Sequence, residues 1–304
     1  MNRLPLIVLL AAGATLGVTG CKTSAPKNNS DSVLNDTVVA EVQPGFSVDS
    51  IGYHMKRDST MECTIGVDFP QGNDSLALVV KNFIAKELSA VYMPADLYSV
   101  DESYKSKYPQ YKGSVTDGKQ MLDFYGKGTM RYIEEELEDL RKYRDNDLPL
   151  LNQKVRIKME ENNAAFVTYS ITDERYLGGA HGSYDFYYVN INKQTLKPMY
   201  QTVDTTRVKD MQPLLRKGVL QYLKECGEED VTEATLKDNL FLPESGLIPL
   251  PVHTPWLQND SLNFVYQQYE IASYAMGPIQ FNIAYKDIMP YLTKETKALI
   301  EAKK

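Results

Sequence analysis

The chain has 304 residues, which corresponds to about two domains of ordinary size or to one large domain. Hydrophobic residues make up 43% of it and charged residues 24%, which excludes a largely disordered chain and a multi-pass membrane protein. It carries 33 Lys and Arg against 40 Asp and Glu, a formal net charge of −7. Because phosphate binding depends on clustered Lys and Arg, we expect no nucleic-acid partner.

The N-terminus is typical of an export signal. Arg3 is followed by an apolar run over residues 4–18 and then by the tetrapeptide VTGC, which ends at Cys21. A positive start, a short apolar segment and small residues at its end indicate a secretory signal peptide. The tetrapeptide resembles a bacterial lipobox, in which the cysteine becomes the first mature residue and carries the lipid. We therefore predict a lipoprotein signal peptide over residues 1–20 and lipidation at Cys21.

Residues 21–48 have the composition of a flexible tether. The stretch that begins at Lys22 is rich in Ser and Asn and has no apolar periodicity. A tether of this kind separates a folded domain from a lipid surface. We therefore expect the protein in the cell envelope, with the membrane as a partner through Cys21, at the periplasmic face of the outer membrane or at the cell surface.

Two helices are predicted in the first half of the chain. Asn73 or Asp74 can cap the first, whose apolar residues recur on one side at helical spacing. Asp117 can cap the second. Gly126 and Gly128 lie inside this second helix, where a glycine costs about 1 kcal/mol, so we expect a bend or break there.

Strands are predicted where apolar and polar residues alternate between turn residues. A third helix, capped by Asp204 or Thr205, and a short helix from Lys286 onward accompany them. Clustered strands with few crossover helices favour an α+β fold: an antiparallel sheet with a few packed helices, in two sequential subdomains. The predicted strands cover residues 63–69, 153–160, 165–172, 183–191, 247–252, 262–269 and 279–285.

Two cysteines remain beyond the signal, Cys63 and Cys226. An exported protein can form a disulfide between them. The alternative is two buried free thiols, which the position of Cys226 on the apolar stripe of the third helix favours. Both alternatives stay open at this stage.

The sequence contains none of the common catalytic signatures. His54, His181 and His253 are far apart and have no His or Cys at metal-ligand spacing, and HExxH, GxSxG, P-loop and GxGxxG motifs are absent. We therefore expect no cofactor, no metal site and no catalysis, although the many carboxylates leave a glycosidase pair open. The acidic run from Glu134 to Asp139 is interpreted as a solvated helix face.

One segment combines a permissive backbone with aromatic residues. In YLGGAHGSYDFYY, which begins at Tyr176, three glycines surround His181 and permit positive φ or close approach of another chain. Beyond them Tyr184, Phe186 and Tyr188 share one strand face. The segment is either a binding loop with a tyrosine platform or a tight bulge whose histidine bonds a backbone carbonyl. We expect Gly179→Val to disrupt folding or the placement of the following strand. The glycines are Gly178, Gly179 and Gly182.

GGAHG resembles the DUF3298 domain, the C-terminal module of RsiV-type anti-sigma factors, and so does the segment YEIASYAMG at residues 269–277. In that family the second motif commonly reads YEIAPYAxG and precedes an "IPY" strand; here Ser273 and Ala284 stand where those prolines occur. The resemblance assigns residues 176–304 to a DUF3298-like domain. It assigns residues 49–175 to the DUF4163-like part that often precedes it.

The resemblance implies a non-catalytic binding or sensing module of the envelope. RsiV-like proteins bind lysozyme, and other relatives carry this pair of domains ahead of a polysaccharide deacetylase domain. We see neither a sigma-binding segment nor a deacetylase motif, and therefore expect the module alone, with a lysozyme-like protein or a peptidoglycan fragment as ligand. An enzyme acting on cell-wall glycan and a structural envelope lipoprotein stay open as alternatives. The expected binding residues are Gly178, Gly179, His181, Gly182, Tyr184 and Tyr274.

We predict that Cys21→Ser releases the protein into the soluble envelope fraction, because the thiol that would carry the acyl chains is gone. Cell fractionation followed by immunoblotting measures this release. A variant that stays fully membrane-bound and is processed normally would show that the lipobox interpretation is wrong.

Overall fold

The computed structural model describes residues 45–92, 109–144, 147–228 and 230–302. The predicted signal peptide, Cys21 and nearly all of the predicted tether lie outside these ranges. Within them, no helix is long and apolar enough to cross a membrane. All of the described residues fall in one compact unit.

The larger of two sheets has six strands that lie side by side in chain order. Neighbouring strands are antiparallel except for the second and third, which are parallel. A parallel pair needs a crossover connection, and here that connection contains two helices. The strands are β1 (Val48–Arg57), β2 (Met61–Pro70), β3 (Leu151–Asn162), β4 (Phe166–Tyr176), β5 (Ser183–Asn192) and β6 (Lys197–Pro198).

The two connecting helices, α1 (Ser75–Tyr92) and α2 (Gly118–Arg141), pack on the sheet and form the first hydrophobic core with it. Both predicted N-caps are confirmed. The Asp74 carboxylate accepts the Ala77 N–H at 2.9 Å, and that of Asp117 accepts the Gln120 N–H at 3.0 Å. Fully buried side chains of this core include Ile84, Leu88, Leu122, Ile133, Ile157 and Ile171.

The smaller sheet consists of β7 (Trp256–Gln258), β8 (Ser261–Tyr266) and β9 (Ile279–Ala284), all antiparallel. The helices α3 (Gln212–Glu225), α4 (Tyr285–Ile288) and α5 (Lys294–Ala302) complete a second core with it. The predicted α+β class, with mostly antiparallel sheets in sequential regions, is thus confirmed.

A buried asparagine joins the two sheets. Asn190 of β5 is 1% exposed, and its side-chain oxygen accepts the Leu257 N–H of β7 at 2.7 Å. Its side-chain nitrogen donates to the Leu257 carbonyl at 3.1 Å and to the Thr168 hydroxyl at 2.8 Å. The side-chain amide of Asn190 therefore makes the two hydrogen bonds that the backbone of a paired strand would make, and satisfies the buried N–H and carbonyl of Leu257 at the junction.

The predicted bend in the second helix is wrong, because α2 runs unbroken through both glycines. A Cβ at Gly126 would overlap the ring of Tyr53, and one at Gly128 would overlap the ring of Tyr92. The glycines therefore let two tyrosines pack directly against the helix backbone. This close packing offsets the low helix propensity of glycine.

Three further expectations need correction. Residues 247–252 form no strand, because Pro249 and Pro251 have no N–H to donate to a ladder. Asp204 caps only a short 3-10 turn over Thr205–Arg207, and α3 begins later, at Gln212. Three strands of the structure, β1, β6 and β7, were not predicted.

Both remaining cysteines are free, so the disulfide left open from the sequence is not formed. Cys63 is fully buried in the first core, and desolvation raises the pKa of its thiol to about 12. Cys226 is exposed, because α3 ends at Glu225 and leaves the thiol just beyond its apolar stripe. The expected burial of Cys226 is therefore wrong.

We predict that Gly126→Ala lowers the free energy of unfolding, because the added methyl group displaces the Tyr53 ring. Overpacking costs about 1–3 kcal/mol, whereas alanine gains about 1 kcal/mol of helix propensity. In a Tyr53→Ala background the same substitution should stabilise the protein, because the overlap is removed. Urea denaturation of the four proteins in this double-mutant cycle measures both values. Equal effects in the two backgrounds would contradict the packing argument.

Candidate functional site

The glycine-rich loop connects β4 to β5 directly, since Arg175 pairs with Ser183 at the last rung of the ladder. Gly178 has φ +89° and its Cβ position is filled by the Leu140 side chain of α2. A Cβ at Gly182 would lie 3.0 Å from the Arg175 carbonyl oxygen. Two glycines of the loop are therefore required by its geometry.

The third glycine, Gly179, is not constrained in this way, so its local geometry does not support the expectation that Gly179→Val disrupts folding. Gly179 has no positive φ, and an added Cβ would meet its nearest neighbour, the His181 carbonyl oxygen, at an ordinary distance of 3.7 Å. Its carbonyl accepts the Tyr176 hydroxyl at 3.2 Å, a contact that a side chain leaves intact.

The two sequence motifs that resemble DUF3298 meet at this loop. The His181 ring stacks on the Tyr274 ring, with centroids 3.8 Å apart and planes inclined by 25°. The Tyr274 hydroxyl donates to the Gly182 carbonyl at 2.9 Å. Tyr269 completes the contact, since its hydroxyl lies 3.3 Å from His181 Nε2. The segment at 269–277 is therefore packed on the loop.

His181 is bonded at both ring nitrogens. Nδ1 lies 2.9 Å from the Gly182 carbonyl, which only accepts, so Nδ1 carries a proton. In the neutral ring Nε2 then accepts from the Tyr269 hydroxyl. The histidine therefore bonds a backbone carbonyl, as one of the two interpretations predicts, and its ring is exposed.

These side chains surround a shallow depression of about 210 Å³. Its volume is below the roughly 300–1,000 Å³ of pockets that enclose a whole drug-sized ligand, so it suits one part of a larger ligand. Tyr184 is 37% exposed and Tyr269 is 57% exposed. Asp185 and Gln268 add polar groups to the rim. We call the four rings of His181, Tyr184, Tyr269 and Tyr274 the aromatic surface.

A row of contacting aromatic rings connects the aromatic surface to the interior of the protein. Tyr184, Phe186 and Tyr188 follow one another on one face of β5, with centroids 5.3 and 6.5 Å apart, as the sequence predicted. Tyr188 stacks on Trp256 of β7 at 4.2 Å. Tyr184 is the exposed end of this row, whereas Tyr188 is half-buried and Phe186 and Trp256 are buried.

The second motif is held in place by one glutamine. Gln267 Nε2 donates to the Phe186 carbonyl at 2.7 Å, and its Oε1 accepts the Phe186 N–H at 3.3 Å. Glu270 accepts the Gln267 N–H at 2.8 Å and the Val252 N–H at 2.6 Å. These bonds tie the chain just before Tyr269 to β5, so the aromatic surface is assembled before any ligand arrives.

The opposite face of β5 carries a polar chain that sequence analysis missed. His253 stacks on Tyr187 at 3.9 Å, and its Nε2 lies 3.2 Å from an Asp185 carboxylate oxygen. The Tyr187 hydroxyl donates to Glu87 of α1 at 2.5 Å. Burial raises the pKa of the Glu87 carboxyl. No sequence pattern links these residues, because Tyr187 and Glu87 are 100 positions apart.

The acidic run on α2 offers no metal centre among the residues that the structure describes. Its first carboxylate, Glu134, accepts Arg57 Nη1 at 2.6 Å, and Leu137 is buried in the core. Glu138 and Asp139 are exposed. This distribution agrees with the solvated helix face that we predicted.

Residues 208–286 match the family described as "Protein of unknown function (DUF3298)". Two solved structures share the fold. A DUF3298 family member from Bacteroides fragilis NCTC 9343 is 19% identical with a TM-score of 0.59, over 85% of this chain and 97% of that chain. A DUF3298 family protein from Pseudomonas aeruginosa PAO1 is 12% identical with a TM-score of 0.50, over 84% and 97%. No curated protein matches the chain in sequence.

The predicted DUF3298 domain is thus confirmed over residues 208–286, which include the second motif but begin after the glycine-rich loop. The DUF4163-like assignment of residues 49–175 stays a prediction. The larger sheet runs without interruption across residue 176, since β4 ends there and pairs with β5 along its length.

We predict that Gly178→Ala destabilises the protein and that Gly179→Ala does not. A positive φ costs a residue with a Cβ about 1–3 kcal/mol, and at Gly178 the methyl group also displaces Leu140. The effect at Gly179 should stay within about 0.5 kcal/mol, as at ordinary surface positions. Thermal and urea denaturation of the two variants measure the difference; equal losses would contradict this view of the loop.

Proposed function

We propose that this protein is a non-catalytic binding module of the cell envelope, anchored by lipid at Cys21, whose aromatic surface contacts the ligand. The observation that carries the proposal is the stacking of His181 on Tyr274, which brings two distant motifs to one exposed site. Motifs that served stability alone would be expected in a core, whereas the His181 ring is exposed and the Tyr274 ring is half-buried.

The aromatic surface has the properties of a preorganised contact site. Tyr269 and Tyr274 are bonded through their hydroxyls to the glycine-rich loop, so little side-chain freedom is left to lose on binding. Tyrosine offers a large ring with a polar end, which suits contact with ligands that are partly apolar and partly hydroxylated.

A cell-wall glycan is the ligand that the site favours. The face of a sugar ring can lie on an exposed tyrosine, while Asp185 and Gln268 on the rim can bond its hydroxyls. The small volume of the depression suits one ring of a long polymer. A lysozyme-like protein, which the family resemblance also implies, is the second ligand to be tested.

Binding without turnover fits the composition of the depression. Retaining and inverting glycosidases use two carboxyl groups about 5–10 Å apart. Among the described residues that line the depression, Asp185 is the one carboxylate, and its oxygens contact His253. An enzyme acting on cell-wall glycan remains the competing function, and the experiment below includes its outcome.

We predict that Tyr269→Ala weakens binding to purified peptidoglycan by about 5–30-fold, because contact residues of this kind contribute about 1–2 kcal/mol. His181→Ala should weaken it as well, since it removes the stacking partner of Tyr274. Co-sedimentation measures binding, and a parallel pull-down uses lysozyme. Tyr143→Ala is the matched control, because Tyr143 is 86% exposed and is not among the residues that line the depression.

Thermal stability of each variant is measured alongside binding. Loss of binding with a melting temperature close to that of the wild type supports a contact role. A variant that melts lower yet binds normally would remove the aromatic surface from the site. Turnover of muropeptides by the purified protein, abolished by Asp185→Asn, would replace the proposed function with the enzymatic one.

A further inference from the structure

A second and larger cavity, of about 950 Å³ and open to solvent, lies far from the aromatic surface in sequence. Its walls are the end of β1, one side of α2 and the segment 109–113 that leads to α2. Its volume lies in the range of pockets that hold small-molecule ligands, roughly 300–1,000 Å³. It contains none of the residues discussed as the candidate site.

One stripe of α2 forms the main wall. Gln120, Phe124, Lys127 and Arg131 follow one another at spacings of three or four residues and thus lie on one side of the helix. Tyr111 holds the segment 109–113 against this wall. Its ring lies 5.6 Å from that of Phe124, and its hydroxyl donates to Gln120 at 2.7 Å.

The floor of the cavity is apolar and adaptable. Met55 and Phe124 are half-buried at its base, beside the ring of Tyr111 and the buried Met130. Methionine side chains are unbranched and polarizable, so a floor that contains them can accommodate apolar groups of different shapes. When an apolar ligand displaces water from such a surface, the free energy of binding becomes more favourable.

The rim of the cavity is cationic in a chain whose formal net charge is −7. Among the described residues that line it are four cations and one carboxylate. The carboxylate is Asp123, which pairs with Lys127 at 2.7 Å, and Arg57 also pairs with Glu134 at 2.6 Å. Both pairs lie at the surface, where an ion pair contributes about 0–1 kcal/mol and is readily exchanged. The four cations are Arg57, Lys112, Lys127 and Arg131.

We propose that this cavity binds an anionic amphiphile, an apolar chain that ends in a carboxylate, with the chain on the Met55–Phe124 floor and the carboxylate between Lys127 and Arg131. Charge and surface chemistry together specify this ligand class: a wholly polar anion would leave the apolar floor wet, and an uncharged lipid would leave the cationic rim unused. This ligand site is independent of the proposed function of the aromatic surface.

The probe is a dansyl-labelled undecanoic acid, whose fluorescence rises when it enters an apolar site. It is titrated into the Cys21→Ser protein in detergent-free buffer, with its methyl ester as the uncharged comparison. The test variant is Lys127→Gln with Arg131→Gln. The matched control is Lys119→Gln with Arg141→Gln, which removes the same charges from exposed positions of the same helix outside the cavity.

We expect the acid to bind the starting protein more tightly than the ester, and the test variant to raise the Kd for the acid by about 10-fold or more, since bonds to charged groups are among the strong ones. The control should change the Kd by less than about twofold, because screening removes the long-range effect of distant charges. Melting temperatures of both variants should match the starting protein.

Three outcomes would overturn this inference. The acid fails to bind the starting protein, the ester binds as tightly as the acid, or the control variant loses as much affinity as the test variant. Displacement of the bound probe by unlabelled fatty acid, but not by peptidoglycan fragments, supports the inference and separates it from binding at the aromatic surface.

Discussion

The pairing of β4 with β5 is the constraint on which the rest of the structure depends. Alternate residues of these strands face opposite sides, so Tyr169 and Ile171 lie in the first core while Phe166 lies in the second. A slip of one residue in this register would exchange the two faces and bury polar groups in both cores. The glycine-rich loop closes the hairpin, so the same register also decides where His181 points.

From this hairpin the second half of the protein is positioned by amides rather than by apolar contact alone. Asn190 bonds to β7 from inside the sheet, and Gln267 bonds to the backbone of Phe186. Bonds of this kind are directional and costly to break once they are buried. They place Tyr269 and Tyr274 beside the loop, so the aromatic surface results from interactions that lie beneath it.

Features that depend only on residues close together in the chain, such as helix caps, were predicted correctly for α1 and α2. Asp74 and Asp117, each placed just before an apolar helical stripe, cap their helices as predicted. Asp204 caps only a 3-10 turn, because the third helix begins later in the chain. Helix propensity led to a wrong prediction where packing against residues distant in the sequence determines the structure. Gly126 and Gly128 suggested a break, yet the helix continues because tyrosines from β1 and α1 fill the space beside the glycines. The strand predicted over 247–252 failed because its prolines cannot donate to a ladder.

The sequence by itself determined the α+β class, most of the strands, the N-caps of α1 and α2 and the motif at residues 269–277, which lies within the match to DUF3298. These features follow from periodicity, turn chemistry and short patterns. Only the tertiary structure decided that the loop needs Gly178 rather than Gly179, that His181 stacks on Tyr274, and that His253 joins Asp185 and Tyr187. The physical reason is that these contacts join residues distant in the chain, and packing, not local preference, chooses which of them meet.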